Sequence, residues 1–309
     1  MEPGALQWLG WWYASRLYSH LKSNDTLTFH AWNTFRNAYP EEVDQHVTFR
    51  VQEQDLESTQ FVSVVDRLSR LDVSLLTFLC VRIRSLSIDH LVALTKIQTL
   101  AVLVVENGTS AHQHTMDRPL AETLRDWGRS VGESDTLKKL RVLVLSGYDI
   151  HQMNGFFKSL SSFPALNLIG IDGLFIQSGA GNFWGDWTNH LPKCPNPTKA
   201  SPDAIWETTA TTTASKMRQL YKCSLEMAPL ELGEAAEIRS IAMIYSQSYE
   251  SVPRCHTEWF YRELRDGRDA RMKRSQRADH QDRRETQSKK LKVRNKNKVG
   301  MDSLLGTFM

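Results

Sequence analysis

The chain has 309 residues, 41% hydrophobic and 24% charged, the balance of an ordinary globular protein long enough to bury a sizeable core. Its net charge of +3 conceals a division: Arg262 to Lys298 hold 15 Lys/Arg against 6 Asp/Glu, a net of +9, and the remainder is −6. Cys80, Cys194, Cys223 and Cys255 are too scattered for a disulfide framework, and the first residues lack the basic region of a secretory signal. No apolar run nears the ~18 residues of a membrane span, so a soluble intracellular protein without a membrane partner is expected.

Residues 1–60 read as a helical N-terminal cap. Leu6, Leu9, Trp12, Tyr13, Leu17 and Leu21 recur at three- and four-residue steps, and Asn24-Asp25 stops them. Thr26 then opens a second helix, in which Phe29, Trp32, Phe35 and Tyr39 share a face before Pro40. The aromatics here, Trp8, Trp11, Trp12 and Trp32, are expected to pack over a core. A strand is expected at Val47 to Val51.

Residues 61–261 form the body. From Ile88 an apolar residue falls at every third position, through Leu91, Leu94 and Ile97 to Leu100, and runs into LAVLVV. The frame LxxLxxLxL occurs three times: Leu94, Ile97, Leu100, Val102; Leu137, Leu140, Leu143, Leu145; and Leu160, Phe163, Leu166, Leu168. A three-residue period suits tight turns that bury one edge and feed a strand. Between these copies, Leu120, Leu124, Trp127 and Val131 share a helical face after Pro119. Phe156, Phe157, Leu160 and Phe163 mark a second helix, closed by Pro164. Alternating strands and helices imply a parallel sheet.

The three copies resemble leucine-rich repeats, and the chain resembles the irregular leucine-rich-repeat-like proteins found among fungal sequences. The resemblance covers about residues 75–175. It implies an α/β fold with a short repeat-like parallel sheet. Strand spacing is uneven, 43 residues from Leu100 to Leu143 and 23 from Leu143 to Leu166. The consensus Asn after the strand is replaced by Val105, Tyr148 and Ile171.

Residues 172–202, rich in Gly, Pro, Asn and Trp, read as a long loop whose Phe183, Trp184 and Trp187 fold back onto the domain. A helix over 203–227 and a strand over Ile238 to Tyr245 complete the body. Motifs that carry chemistry are absent or incomplete. Gly179-Ala180-Gly181 starts like a dinucleotide fingerprint, but Trp184 occupies the place of the third glycine. His112, His114 and Asp117 lack a supporting ligand pair, and Cys255-His256 lacks a CxxC partner. No GxSxG or Walker A pattern occurs. No catalytic, cofactor-binding or metal-binding residues are therefore assigned, and the expected function is not enzymatic.

Residues 262–309 form a basic tail, expected to be disordered or a solvated helix because apolar residues nearly vanish between Leu264 and Leu291. Arg271 to Arg274 form one basic cluster. Lys289, Lys290, Lys292, Arg294, Lys296 and Lys298 form an acid-free second one, read as a nuclear-import cluster or, alternatively, a nucleic-acid contact. Met301, Leu304 and Phe308 are a candidate docking peptide. It loosely resembles sliding-clamp-binding peptides of the pattern Q-x-x-L-x-x-F-F, with Met301 in place of Gln and Thr307 in place of the first aromatic. The sequence thus points to a protein–protein interaction module without cofactor, nuclear in preference to cytoplasmic. The alternatives are a nuclear factor binding nucleic acid or a sliding clamp through its tail, and an adaptor selecting proteins for ubiquitin ligation. Neither the partner nor the oligomeric state is specified by these residues.

Overall fold

The computed structural model describes residues 3–24, 26–44, 46–52, 59–72, 74–83, 87–107, 124–129, 131, 136–147, 153–172, 183–190, 200–227, 239–247 and 256–262. These lie in a unit spanning Met1–Glu263. The fold is mixed α/β: a mostly parallel sheet with helices on both faces and a helical N-terminal cap.

Three helices open the chain: α1 (Pro3–Leu9), α2 (Trp11–Ser23) and α3 (Phe29–Ala38). The cap of α3 is Thr28, whose hydroxyl accepts from the Ala31 N–H, two residues later than Thr26. The expected strand follows as β1 (His46–Gln52), then α4 (Thr59–Ser69) and β2 (Leu76–Ile83). Next come α5 (Ile88–Leu94), β3 (Leu100–Asn107), a helical stretch over 124–129, β4 (Val142–Ser146), α6 (Met153–Leu160) and β5 (Leu168–Asp172). The predicted loop over 172–202 carries a small hairpin, β6 (Phe183–Trp184) and β7 (Trp187–Thr188). Its turn uses Gly185 at φ 71, a conformation suited to glycine in two-residue hairpin loops. The helix expected over 203–227 is two, α7 (Pro202–Glu207) and α8 (Thr213–Met227); β8 (Ser240–Ser246) and β9 (Thr257–Arg262) end the body.

The sheet order is β1-β8-β2-β3-β4-β5-β9-β7-β6. The first six strands are parallel and the last three join antiparallel. From β2 to β5 the chain advances one strand at a time. It then returns to slot β8 between β1 and β2, so helices fall on both faces, as right-handed crossovers require. One face packs Leu79, Leu103, Leu143, Ile169 and Met243 against α1 to α6. The other packs Phe78, Val104, Val144, Ala242 and Ile244 against Trp206 of α7 and Met217, Leu220 and Tyr221 of α8. Strands β4 and β5 are buried at every position. This is the reason for the unbroken apolar runs in the sequence.

The three repeat copies do fall on adjacent parallel strands, but not in one frame. Register aligns Leu103, Leu143 and Ile169. Leu100 is therefore equivalent to Leu140 and Leu166, so the first and third copies match and the second is displaced by one triplet. As a result Val102 and Leu168 point to the face covered by α7 and α8, opposite Leu143 and Leu145. A one-residue offset reverses every side chain of a strand. In an open repeat horseshoe that second face meets solvent; here two helices cover it.

Candidate functional site

Two places on the described body combine unusual exposure or charge with defined geometry. The first is the outer side of α1 and α2. Gly10, at φ 74, separates the two helices and shifts the phase of the second. The inward side of α2 is consequently Trp11, Ala14 and Tyr18, with Leu17 and Leu21 packed partly against the core. A continuous helix would have turned Trp12 and Tyr13 inward with Leu6 and Leu9. Instead Trp8, Trp12 and Tyr13 are 88%, 60% and 57% exposed, which overturns the expectation that the cap's aromatics all pack inward. Trp12 and Tyr13 meet edge-on at 4.5 Å, and the Arg16 guanidinium lies 4.0 Å over the Trp12 ring. The helix is anchored from behind: the Tyr18 hydroxyl donates to Asp44 at 2.9 Å, and Lys22 pairs with the same carboxylate at 2.8 Å. Trp11 packs 5.1 Å from Tyr39, whose hydroxyl donates to the Leu6 carbonyl. The exposed rings thus stand on a fixed support.

The second place is the carboxyl end of the parallel strands, where α/β sheets commonly bind ligands. Near its carboxyl end each of β2 to β5 carries a polar residue, and neighbours pair across the register. Arg82 donates to Glu106 at 2.5 Å and to the Thr213 hydroxyl of α8 at 3.0 Å. Ser146 of β4 and Thr257 of β9 both donate to Asp172 of β5, and all three are buried. Such groups satisfy one another and tie α8 to the strand ends.

At the β9 end of this row lies a cleft of about 230 Å³ lined by Asn189, Asp203, His256, Thr257, Glu258, Trp259 and Tyr261. Asp203 comes from the first turn of α7, which Ser201 caps by accepting from the Ala204 N–H. Asn189 follows β7, and the remaining residues come from β9 and the residue before it. His256 contacts Glu207 at 3.1 Å. Burial pushes the Asp203 carboxyl above its ordinary value, with Glu207 adding to the effect and His256 opposing it. Burial also pushes Glu258 up, again against the influence of His256. The Asn189 Oδ1, Glu258 Oε2 and Trp259 Nε1 atoms are shielded from solvent and have no hydrogen-bond partner among the described residues.

Trp184 and Trp187 fold back as expected: Trp187 is fully buried, and Trp184 stacks 5.5 Å from Phe157. His112, His114, Asp117 and Cys255 lie outside the described residues, as do Lys289, Lys290, Lys292, Arg294, Lys296, Lys298, Met301, Leu304 and Phe308. Among the described residues, no group of three or more His, Cys, Asp or Glu is placed to hold a metal ion. None of the described helices is long and apolar enough to cross a membrane. Neither place follows from a local sequence pattern. The glycine at position 10 was the available signal for the phase shift of α2. The cleft gathers single residues from distant segments and left no spacing to read. No protein-family model, curated protein or solved structure matches this chain.

Proposed function

We propose that the protein is a non-enzymatic interaction module whose body engages a protein partner through the outer aromatic side of α1 and α2. The observation that carries this reading is the exposure of Trp8, Trp12 and Tyr13 beside Arg16 on helices whose opposite sides are anchored in the core. Exposing large rings to water is unfavourable by roughly 25 cal/mol per Å² of apolar surface, so covering them would contribute strongly to association. Trp, Tyr and Arg are also the side chains that most often dominate interface energetics. The partner surface that fits is an apolar groove with an acidic rim facing Arg16.

Affinity purification with the wild-type chain beside a Trp8→Ala/Trp12→Ala variant tests this. The expected result is loss of one defined set of co-purifying proteins from the variant at an unchanged melting temperature. Identical co-purifying proteins would overturn the reading, and so would a marked fall in melting temperature, which would make the rings packing residues. Light scattering of the pure protein covers self-association: a dimer lost in the variant would identify the partner as a second copy.

A further inference from the structure

The outer side of β1 joins a long strand edge to two guanidinium groups. β1 ends the sheet over 7 residues and meets β8 one-to-one along its length, without a bulge. The opposite edge, β6, has only 2 residues. Proteins commonly blunt long edges with bulges or proline, because an open edge is a template for another strand. β1 contains neither, and among the described residues no strand pairs with its outer side.

Two backbone bonds fix which groups point outward. The Leu76 N–H donates to the Arg239 carbonyl, and the Gln247 N–H to the Arg82 carbonyl. Arg239 and Gln247 thus turn toward β2, and by alternation Ala242 and Ile244 turn toward β1. These two lie opposite Thr48 and Arg50, so the β1 groups that bond them belong to Val47, Phe49 and Val51. Thr48 and Arg50 therefore direct their own N–H and C=O groups away from the sheet.

The two faces of this edge differ in chemistry. On the α8 side Thr48 and Arg50 are exposed, and Arg218 of α8 donates to the Val47 carbonyl and the Thr48 hydroxyl, each at 3.0 Å. Arg36, Arg82 and Arg239 each pair with a carboxylate. Among the described residues no carboxylate pairs with Arg50 or Arg218, and burial holds the Arg218 guanidinium below its ordinary value with no acid opposing it. On the other side the edge is apolar. Phe29 and Val51 are partly exposed there, and Phe29 meets the buried Phe49 edge-on at 5.7 Å.

We infer that the outer edge of β1 accepts an added strand from an acidic partner segment, paired main chain to main chain with Thr48 and Arg50, its carboxylates facing Arg50 and Arg218. Alternate side chains of a strand share a face. The segment that fits therefore alternates acidic residues, over the two arginines, with apolar ones beside Phe29 and Val51. This inference does not rest on the aromatic side of α1 and α2.

The test titrates the full chain with acetyl-Glu-Val-Glu-Val-Glu-amide and follows hydrogen exchange by mass spectrometry. Exchange should slow saturably over His46–Gln52, in the millimolar range or below, and stay unchanged over α1 and α2. The lysine counterpart, acetyl-Lys-Val-Lys-Val-Lys-amide, should have no effect. Arg50→Gln/Arg218→Gln should weaken binding roughly tenfold or more. Methylating one alternate set of the peptide's amide nitrogens should abolish the protection and methylating the other set should preserve it, since only one set faces β1. Unslowed exchange at β1, an equal effect of the lysine peptide, or protection that survives both methylations would overturn the inference. So would an unchanged affinity in the double variant, which keeps the basic residues 262–298 and would then place the peptide on them. A dimer of the free chain, broken by Thr48→Pro, would assign the edge to a second copy and overturn it too. Should the double variant lose its native circular dichroism, the lysine and methylated peptides on the wild type decide.

Discussion

A β-carbon built on Gly170 of β5 would come within 2.9 Å of the Trp259 ring, which lies across it from the neighbouring strand. The wall of the cleft therefore depends on one missing side chain. Gly170→Val should displace the indole and cost about 1–3 kcal/mol, read from chemical denaturation together with a changed Trp259 indole signal. A variant with wild-type stability and an unmoved indole would show that the ring has room to give. Glu258 offers a second test. Its carboxyl is held above the ordinary range by burial, so the folded state binds its proton more tightly than the unfolded chain does. That contribution is fully present below the unfolded value and is lost as pH rises through the folded one. Glu258→Gln should thus match the wild type below about pH 4 and exceed its melting temperature at neutral pH. A melting temperature below the wild type at neutral pH would mean that the ionised carboxylate is structurally required. At this scale the sequence was legible where a residue obeys its local pattern. Trp187 turned inward as its costly exposure implied. Trp12 does not, because Gly10 at φ 74 ends α1 and breaks the phase that Leu6 and Leu9 set.

Among the elements, α8 decides what kind of sheet this is. Its amino end meets Arg82 through Thr213, and the Ser224 carbonyl near its other end accepts from Asn167 at 2.8 Å, so it spans the strands lengthwise. Between those anchors Met217 and Leu220 are fully buried against β-strand side chains. Leu220→Ala should then be as damaging as Leu143→Ala on the opposite face, each costing about 2–5 kcal/mol in denaturant unfolding. A near-neutral Leu220→Ala would mean that α8 does not hold this face of the sheet as its burial implies. The alternation of strands and helices was legible because apolar runs and three- and four-residue steps are local signals. The insertion of β8 beside β1 was not, since the pair His46 and Ser240 is joined across most of the chain. Nor was the covering of the second face by α7 and α8. An apolar run such as that of β3 buries on both faces without stating what covers either.

For the whole molecule, the most consequential feature is the division of charge, −6 in one part and +9 over Arg262 to Lys298. Such a segment attracts acidic surfaces of every kind, so sign alone does not separate an import receptor from nucleic acid. Arrangement does. From Arg262 to Glu285 acids are interleaved among the bases, whereas Lys289 to Lys298 contain none. An import receptor reads a short concentrated cluster, and a polyelectrolyte such as nucleic acid responds to total charge. Changing Lys289, Lys290 and Lys292 to Ala removes three of fifteen bases, a modest loss for nucleic acid but half of the acid-free cluster. A fluorescent reporter too large for passive diffusion, fused to residues 262–309, should accumulate in the nucleus and return to the cytoplasm with the triple change. In the same proteins, the salt dependence of binding to duplex DNA should fall by about three counterions. Nuclear accumulation that survives the change, with DNA affinity lost, would place retention on nucleic acid in the nucleus and remove the import reading. A cytoplasmic signal from the intact segment would remove it as well.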